Sequence, residues 1–100
     1  MRIEANEIQI IKNTVRDHFG LESSVLLFGS RTDDDKRGGD IDLLIESELS
    51  EVDAFRARIE VMTDIQLGIG DQKIDIVVAK RGERDDRAVV RNARNEGIAL

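Results

Sequence analysis

The residues best suited to chemistry lie between positions 28 and 75. Gly29 and Ser30 close the apolar run VLLF at 25–28, nine residues separate Ser30 from Asp40, and Asp42 follows after one more. A third aspartate, Asp75, sits inside a later apolar run, KIDIVVA. In a strand, side chains at i and i+2 share a face, roughly 6.5 Å apart at the backbone. Asp40 and Asp42 at that spacing can converge on a hard cation. Magnesium prefers such oxygen ligands and keeps its other positions for water and phosphate oxygens. Asp75 lies between Ile74 and Ile76 and projects from the opposite face, so it joins the pair if the two strands are neighbours. A third carboxylate beside a metal can also accept the proton of an attacking hydroxyl. A strand that ends in Gly-Ser offers backbone N–H groups and a hydroxyl to a phosphate, and glycine permits close approach. Arg31, with Lys36 or Arg37, would add positive charge opposite a triphosphate. Together these parts meet the demands of phosphoryl or nucleotidyl transfer: positioning, metal and charge neutralisation. Each part alone is commonplace, since a solvated DxD, a Gly-Ser turn or a charged loop explains any one. The aspartate of the later run is the hardest to dismiss, because a carboxylate in a buried strand is unfavourable without a partner.

The elements that must position these residues follow from periodicity. Ile8, Ile11, Val15 and Phe19 recur every three or four residues and predict an amphipathic helix over 3–19, with Gly20 as its stop. Residues 25–28 read as a short buried strand. Residues 30–39 read as a polar loop with a helical turn after Gly29 and Ser30. Residues 40–45 alternate, with Ile41, Leu43 and Ile45 on one side and Asp40, Asp42 and Leu44 on the other. Ser50 opens a second helix, with Asp53 as a weak capping-box partner. Val52, Phe55, Ile59, Met62 and Ile65 form its expected apolar face, and Gly68 and Gly70 its end. Residues 73–79 are a third strand. Residues 84–96 are a third helix, with Val89, Val90, Ala93 and Ile98 toward the core. The order α-β-β-α-β-α favours a small α/β or α+β domain, with helices packed on a short mixed sheet.

Composition narrows the function. One hundred residues fit a single domain over 1–100 with little room for an acceptor-binding lobe. The net charge of −6 suits a protein that holds cations or docks on a basic partner, and argues against direct DNA binding. Three Phe and no Trp or Tyr leave no platform for stacking single-stranded bases. Without cysteine there is no disulfide, thiolate metal site or thiol nucleophile. No run approaches membrane length and no signal core opens the chain, so a cytoplasmic location is expected, with no membrane partner. His18 reads as an exposed helix residue; one histidine and no cysteine argue against a zinc site. The arginines Arg84, Arg87, Arg91 and Arg94 fall at steps of three, four and three, one face of a helix. They read as a solvated row paired with Glu83, Asp85 and Asp86, or as a docking strip. Gly68 and Gly70 read as a loop, not a dinucleotide fingerprint.

FGS, a spacer, DIDLL and a later aspartate in an apolar strand resemble the DNA polymerase β-type nucleotidyltransferase superfamily. The short length resembles its minimal branch, the MNT proteins, which act as antitoxins beside HEPN-type helical partners. The family's spacer is usually ten residues and often opens Arg-x-Arg-Gly; here it is nine and opens Arg31-Thr32-Asp33-Asp34, with acids in the second basic and the glycine places and Lys36 and Arg37 further along. The resemblance implies that Gly29 and Ser30 bind the nucleoside triphosphate, with Arg31 and Lys36 supporting. It also implies that Asp40 and Asp42 hold two magnesium ions, with Asp75 as third ligand and possible base. The expected reaction moves a nucleoside monophosphate, AMP from ATP, to a hydroxyl on a HEPN-type RNase toxin. The alternative is a catalytically weak binding module that neutralises its partner by docking alone. A small-molecule modifier of the aminoglycoside kind would need an acceptor domain that these residues do not provide.

Overall fold

A computed structural model describes residues 3–32, 39–70 and 72–100. Its elements are α1 (Ala5–Phe19), β1 (Ser24–Phe28), a 3-10 turn (Gly29–Thr32), β2 (Ile41–Ser47), α2 (Glu51–Ile69), β3 (Ile74–Lys80), α3 (Ala88–Glu96) and β4 (Ile98–Ala99). The mixed α/β order expected from the sequence holds, with β4 added at the end. The strands form one sheet in the order β3-β2-β1-β4. β1 pairs antiparallel with β2 and with β4, and β2 pairs parallel with β3.

The two faces of the sheet are covered unequally. α1 and α2 pack on the face that carries Val25, Leu27, Ile41, Leu43, Ile45, Ile74 and Ile76, all buried. This is the main aliphatic core, and burying such side chains is the dominant stabilising contribution. The other face carries Leu26, Phe28, Leu44, Val77 and Ala79, against which α3 packs through Val90 and Ala93. By the two-residue period of strands, Asp42 and Asp75 share this second face.

α2 keeps Ile65 of its expected apolar face buried and Met62 packed against the core, but turns the first half of that face outward. Ala54, Ala57, Val61 and Ile65 face the core, while Val52, Phe55 and Ile59 are 71%, 64% and 51% exposed. Both stripes recur at three and four, so periodicity cannot choose between them. The small side chains let the helix approach closely, and Gly68, inside the helix, lies against Ile10 where a Cβ would crowd it. Ser50 Oγ accepts from the Asp53 amide at 3.3 Å, and Gly70 (φ +93°) ends the helix. α3 begins at Ala88, later than expected, because Asp85 accepts from both the backbone and the side chain of Arg87 and holds a turn there. The four arginines therefore do not share one helical face. Ile98 belongs to β4, and Val89 is exposed.

The outer edge of β3 is capped by side chains. Arg58 Nε donates to the Ile76 carbonyl at 2.8 Å and Arg87 Nη2 to the Val78 carbonyl at 2.8 Å. Blocking these carbonyls protects an edge strand from pairing with another chain. Among the described residues no helix is long and apolar enough to cross a membrane.

Candidate functional site

The parallel register of β2 and β3 sets Asp42 directly opposite Asp75. Neighbouring strands lie about 4.8 Å apart, so the two carboxyls meet on the open part of the α3 face. Burial pushes the Asp42 carboxyl above its ordinary value; the charges of Asp75 and Asp40 push it further, and so does a hydrogen-bond contact with Asp75, while Lys73 opposes the shift. Asp40 stands just before β2, and its Oδ2 lies 3.4 Å from Lys73 Nζ. Asp75 is exposed rather than buried as expected. Its position is explained by the open sheet face, not by a partner compensating for burial.

Gly29 completes the cluster from β1. Phe28 pairs with Asp42 across the antiparallel ladder, so the chain turns directly beneath the carboxylate. Gly29 has φ +78°, and a Cβ built there would overlap Asp42 Oδ2. Glycine is required at this position both for its backbone conformation and for the space that the carboxylate fills. The 3-10 turn then carries Ser30 and Arg31 past the site. Ser30 contributes its backbone to the turn; its side chain lies outside the described residues, as does Lys36. Arg31 points to the base of the loop, where Nε donates to the Gly39 carbonyl at 3.2 Å and Nη2 to Gln72 Oε1 at 3.3 Å.

Lys73 and Gln72 did not stand out in the sequence. The signal available for Lys73 was its place two residues before Asp75, at the same end of the same strand. Its carbonyl also accepts from the Ile41 amide at 3.0 Å, which ties the starts of β2 and β3 together. His18 is also not the exposed residue expected. It is 22% exposed and lies between Glu60 (Nδ1, 3.0 Å) and Asp64 (Nε2, 2.7 Å), joining α1 to α2 on the far side of the sheet. Three of the four arginines of the row form ion pairs, two with local acids and one across to β2. Arg84 pairs with Asp86, Arg87 with Asp85, and Arg94 with Glu46 at 2.6 Å. Among the described residues a groove runs along the outer edge of β3, past Phe55, Arg58, Lys80 and Arg87, and Asp40, Asp42 and Asp75 do not line it.

A family model described as Nucleotidyltransferase domain matches residues 8–100. The chain belongs to the nucleotidyltransferase domain family. Comparison with curated proteins gives no match. The matched span takes in most of α1, all four strands and each of Gly29, Asp40, Asp42 and Asp75. Nucleotidyl transfer is the activity of the domain, and the mixed sheet with three helices is the architecture that the sequence resemblance implied.

The donor set of this nucleotidyltransferase domain suits a hard divalent cation. It is all carboxylate oxygen, and Asp42 bears repulsion from two neighbours that Lys73 only partly offsets. A bound cation would offset that repulsion, as carboxylate sites for magnesium require. Among the described residues no three ligating side chains are yet drawn into a ready cage, because Asp40 leans toward Lys73.

Proposed function

We propose that this nucleotidyltransferase is magnesium-dependent and moves AMP from ATP to a hydroxyl on a partner protein. The observation that carries the reading is the opposition of Asp42 and Asp75 directly above the Gly29 turn. Asp40, Asp42 and Asp75 would hold magnesium, which supplies charge neutralisation at the phosphates and acidifies the attacking hydroxyl. The turn from Gly29 presents backbone N–H groups to the β- and γ-phosphates, with Ser30 and Arg31 beside them. Asp75, exposed at the rim, takes the hydroxyl proton. The hydroxyl oxygen bonds to the α-phosphorus, the bond to the bridging oxygen breaks, and pyrophosphate leaves.

We place the acceptor on another protein, as the resemblance to minimal nucleotidyltransferases implies. The resemblance to minimal nucleotidyltransferases favours a HEPN-type RNase toxin, in the cytoplasm, with this chain as its antitoxin. The exposed stripe Val52, Phe55 and Ile59 supports docking by a helical partner, because three large apolar side chains on successive turns suit helix-to-helix packing. The same stripe favours the second reading, in which the chain neutralises its partner by docking alone.

The test is label transfer. The protein is incubated with magnesium, each labelled nucleoside triphosphate in turn, and the product of the adjacent gene. Transfer from ATP by wild type, lost in Asp42→Asn and in Asp75→Asn with the fold intact, is the expected result. Absence of transfer from all four nucleotides removes the enzyme reading. Neutralisation that survives Asp42→Asn favours docking.

A further inference from the structure

Gln72 lies in the short connection between α2 and β3, and nearly all of its polar atoms are engaged. Its Nε2 donates to Glu7 Oε2 at 2.8 Å and to the Ile69 carbonyl at 3.3 Å. Its Oε1 accepts from Arg31 Nη2 at 3.3 Å. Its backbone amide donates to the Gly70 carbonyl at 2.8 Å, and its carbonyl accepts from Gln66 Nε2 at 3.2 Å. Fixing a glutamine side chain sacrifices rotamer freedom, so a connection that needed only to turn would favour a residue without this requirement.

The partners also fix the chemistry of the position. A guanidinium has only donors and a carboxylate only acceptors, so the amide must face Arg31 with its oxygen and Glu7 with its nitrogen. Glutamate would present a carboxylate to Glu7, and lysine would present a cation to Arg31. Only a neutral group with both a donor and an acceptor joins the two. Glu7 is itself anchored, its Oε1 accepting from the Glu4 amide at 3.1 Å at the start of α1. The chain of contacts therefore runs from the start of α1, through Gln72, to the turn that carries Gly29. The next residue, Lys73, touches Asp40 and Ile41 from the same connection.

We propose that Gln72 is a positioning residue for nucleotide binding: anchored on Glu7, it orients the Arg31 guanidinium on the turn that receives the triphosphate. This rests on the nucleotidyltransferase reading above and extends it to a residue that does not touch substrate. Arg31 acts on the β- and γ-phosphates, so Gln72 affects a triphosphate and leaves a monophosphate alone.

The experiment measures binding of Mg-ATP and of AMP by titration calorimetry to wild type, Gln72→Met, Arg31→Ala and the double variant. Gln72→Leu is prepared alongside, so that if one substitution lowers the melting temperature by more than a few degrees the other supplies the comparison. The expected result is a three- to tenfold loss of Mg-ATP affinity in Gln72→Met, with AMP affinity unchanged. In the Arg31→Ala background the Gln72 substitution adds no further loss. Equal losses for ATP and AMP, losses that multiply with Arg31→Ala, or no loss at all overturn the proposal while leaving the nucleotide reading intact. Wild type that binds neither nucleotide overturns both.

Discussion

Replacing Gly29 by alanine tests the geometry of the site without reference to any activity. Two penalties combine at this position. The backbone sits at φ +78°, where a residue with a Cβ is disfavoured by roughly 1–2 kcal/mol. The new methyl would also overlap Asp42 Oδ2. The carboxylate has little freedom to withdraw, since Asp75 faces it across the ladder and the two already repel. Overpacking of this kind typically adds about 1–3 kcal/mol. The sum is about 2–5 kcal/mol, out of a total stability of about 5–15 kcal/mol for a domain. For a chain of this size that lowers the melting temperature by about 10 °C or more. Urea denaturation followed by circular dichroism gives the free energies. The decisive comparison repeats Gly29→Ala in an Asp42→Ala background, where the overlap is gone and only the backbone penalty remains. The cost there should fall by at least about 1 kcal/mol, a coupling well above the few tenths expected of independent sites. Equal costs in the two backgrounds would refute the claim that Gly29 is needed to seat the carboxylate.

Three further outcomes are expected. Asp42→Asn should raise the melting temperature in chelator by a few degrees, because it relieves a like-charge repulsion of roughly 1 kcal/mol at 4 Å in water and more where partly buried. The sign with pH follows from the raised Asp42 value: the ionised form is penalised in the folded state, so the advantage of asparagine is full near neutral pH, shrinks as pH falls through the raised value, and vanishes below the unfolded value of about 3.8. Thermal melts of both proteins from pH 7 to 3 check it. Lys73→Ala should tighten magnesium binding up to about fivefold by calorimetry, since an exposed pair with Asp40 of about 0.2–1 kcal/mol no longer competes. Phe55→Glu should leave the melting temperature within about 2 °C yet abolish co-purification with the partner, whereas Ile65→Ala, in the core, should lose about 2–5 kcal/mol.

How far the fold is legible in the sequence depends on whether one physical signal decides each position. A period of two assigns Asp42 and Leu44 to one face and Leu43 and Ile45 to the other, and that alternation holds whatever the register. The register itself, which sets Asp42 against Asp75 rather than a residue away, depends on the α2 connection and leaves no local trace. Periodicity misplaces the buried face of α2 because two stripes share one period and the larger side chains lie on the solvent side. Close approach to the sheet selects Ala54 and Ala57, a packing effect that hydrophobicity alone does not reveal. The start of α3 is displaced by a local competition, in which Asp85 captures the Arg87 amide and side chain in a turn before the helix. Gln72 is illegible because its partners, Glu7 and Arg31, are distant in sequence; Lys73 leaves only its nearness to Asp75 as a trace, since its partner Asp40 meets it only once β2 and β3 are parallel.

The same contrasts separate the two functional readings. A domain that serves only to dock needs a stable scaffold and a surface, and here the exposed stripe of α2 and the capped edge of β3 lie apart from the aspartates. Nothing in docking calls for Asp42 to face Asp75, or for a left-handed glycine beneath it. Asparagine at 42 would preserve the shape of the ladder and remove the repulsion. Local strain and unfavourable charge gathered at one point mark the place where a structure is shaped by something other than its own stability. On the reading proposed above, a divalent cation here would offset the charge and the Gly29 turn would face a phosphate. If that reading holds, the docking surface and the carboxylates would serve a single reaction, with α2 holding the proposed partner and the α3 face meeting its hydroxyl. Phe55→Glu and Asp42→Asn should therefore both abolish label transfer, but only Phe55→Glu should abolish binding. A variant pair that failed in the reverse pattern would separate docking from catalysis and leave the carboxylate cluster without this function.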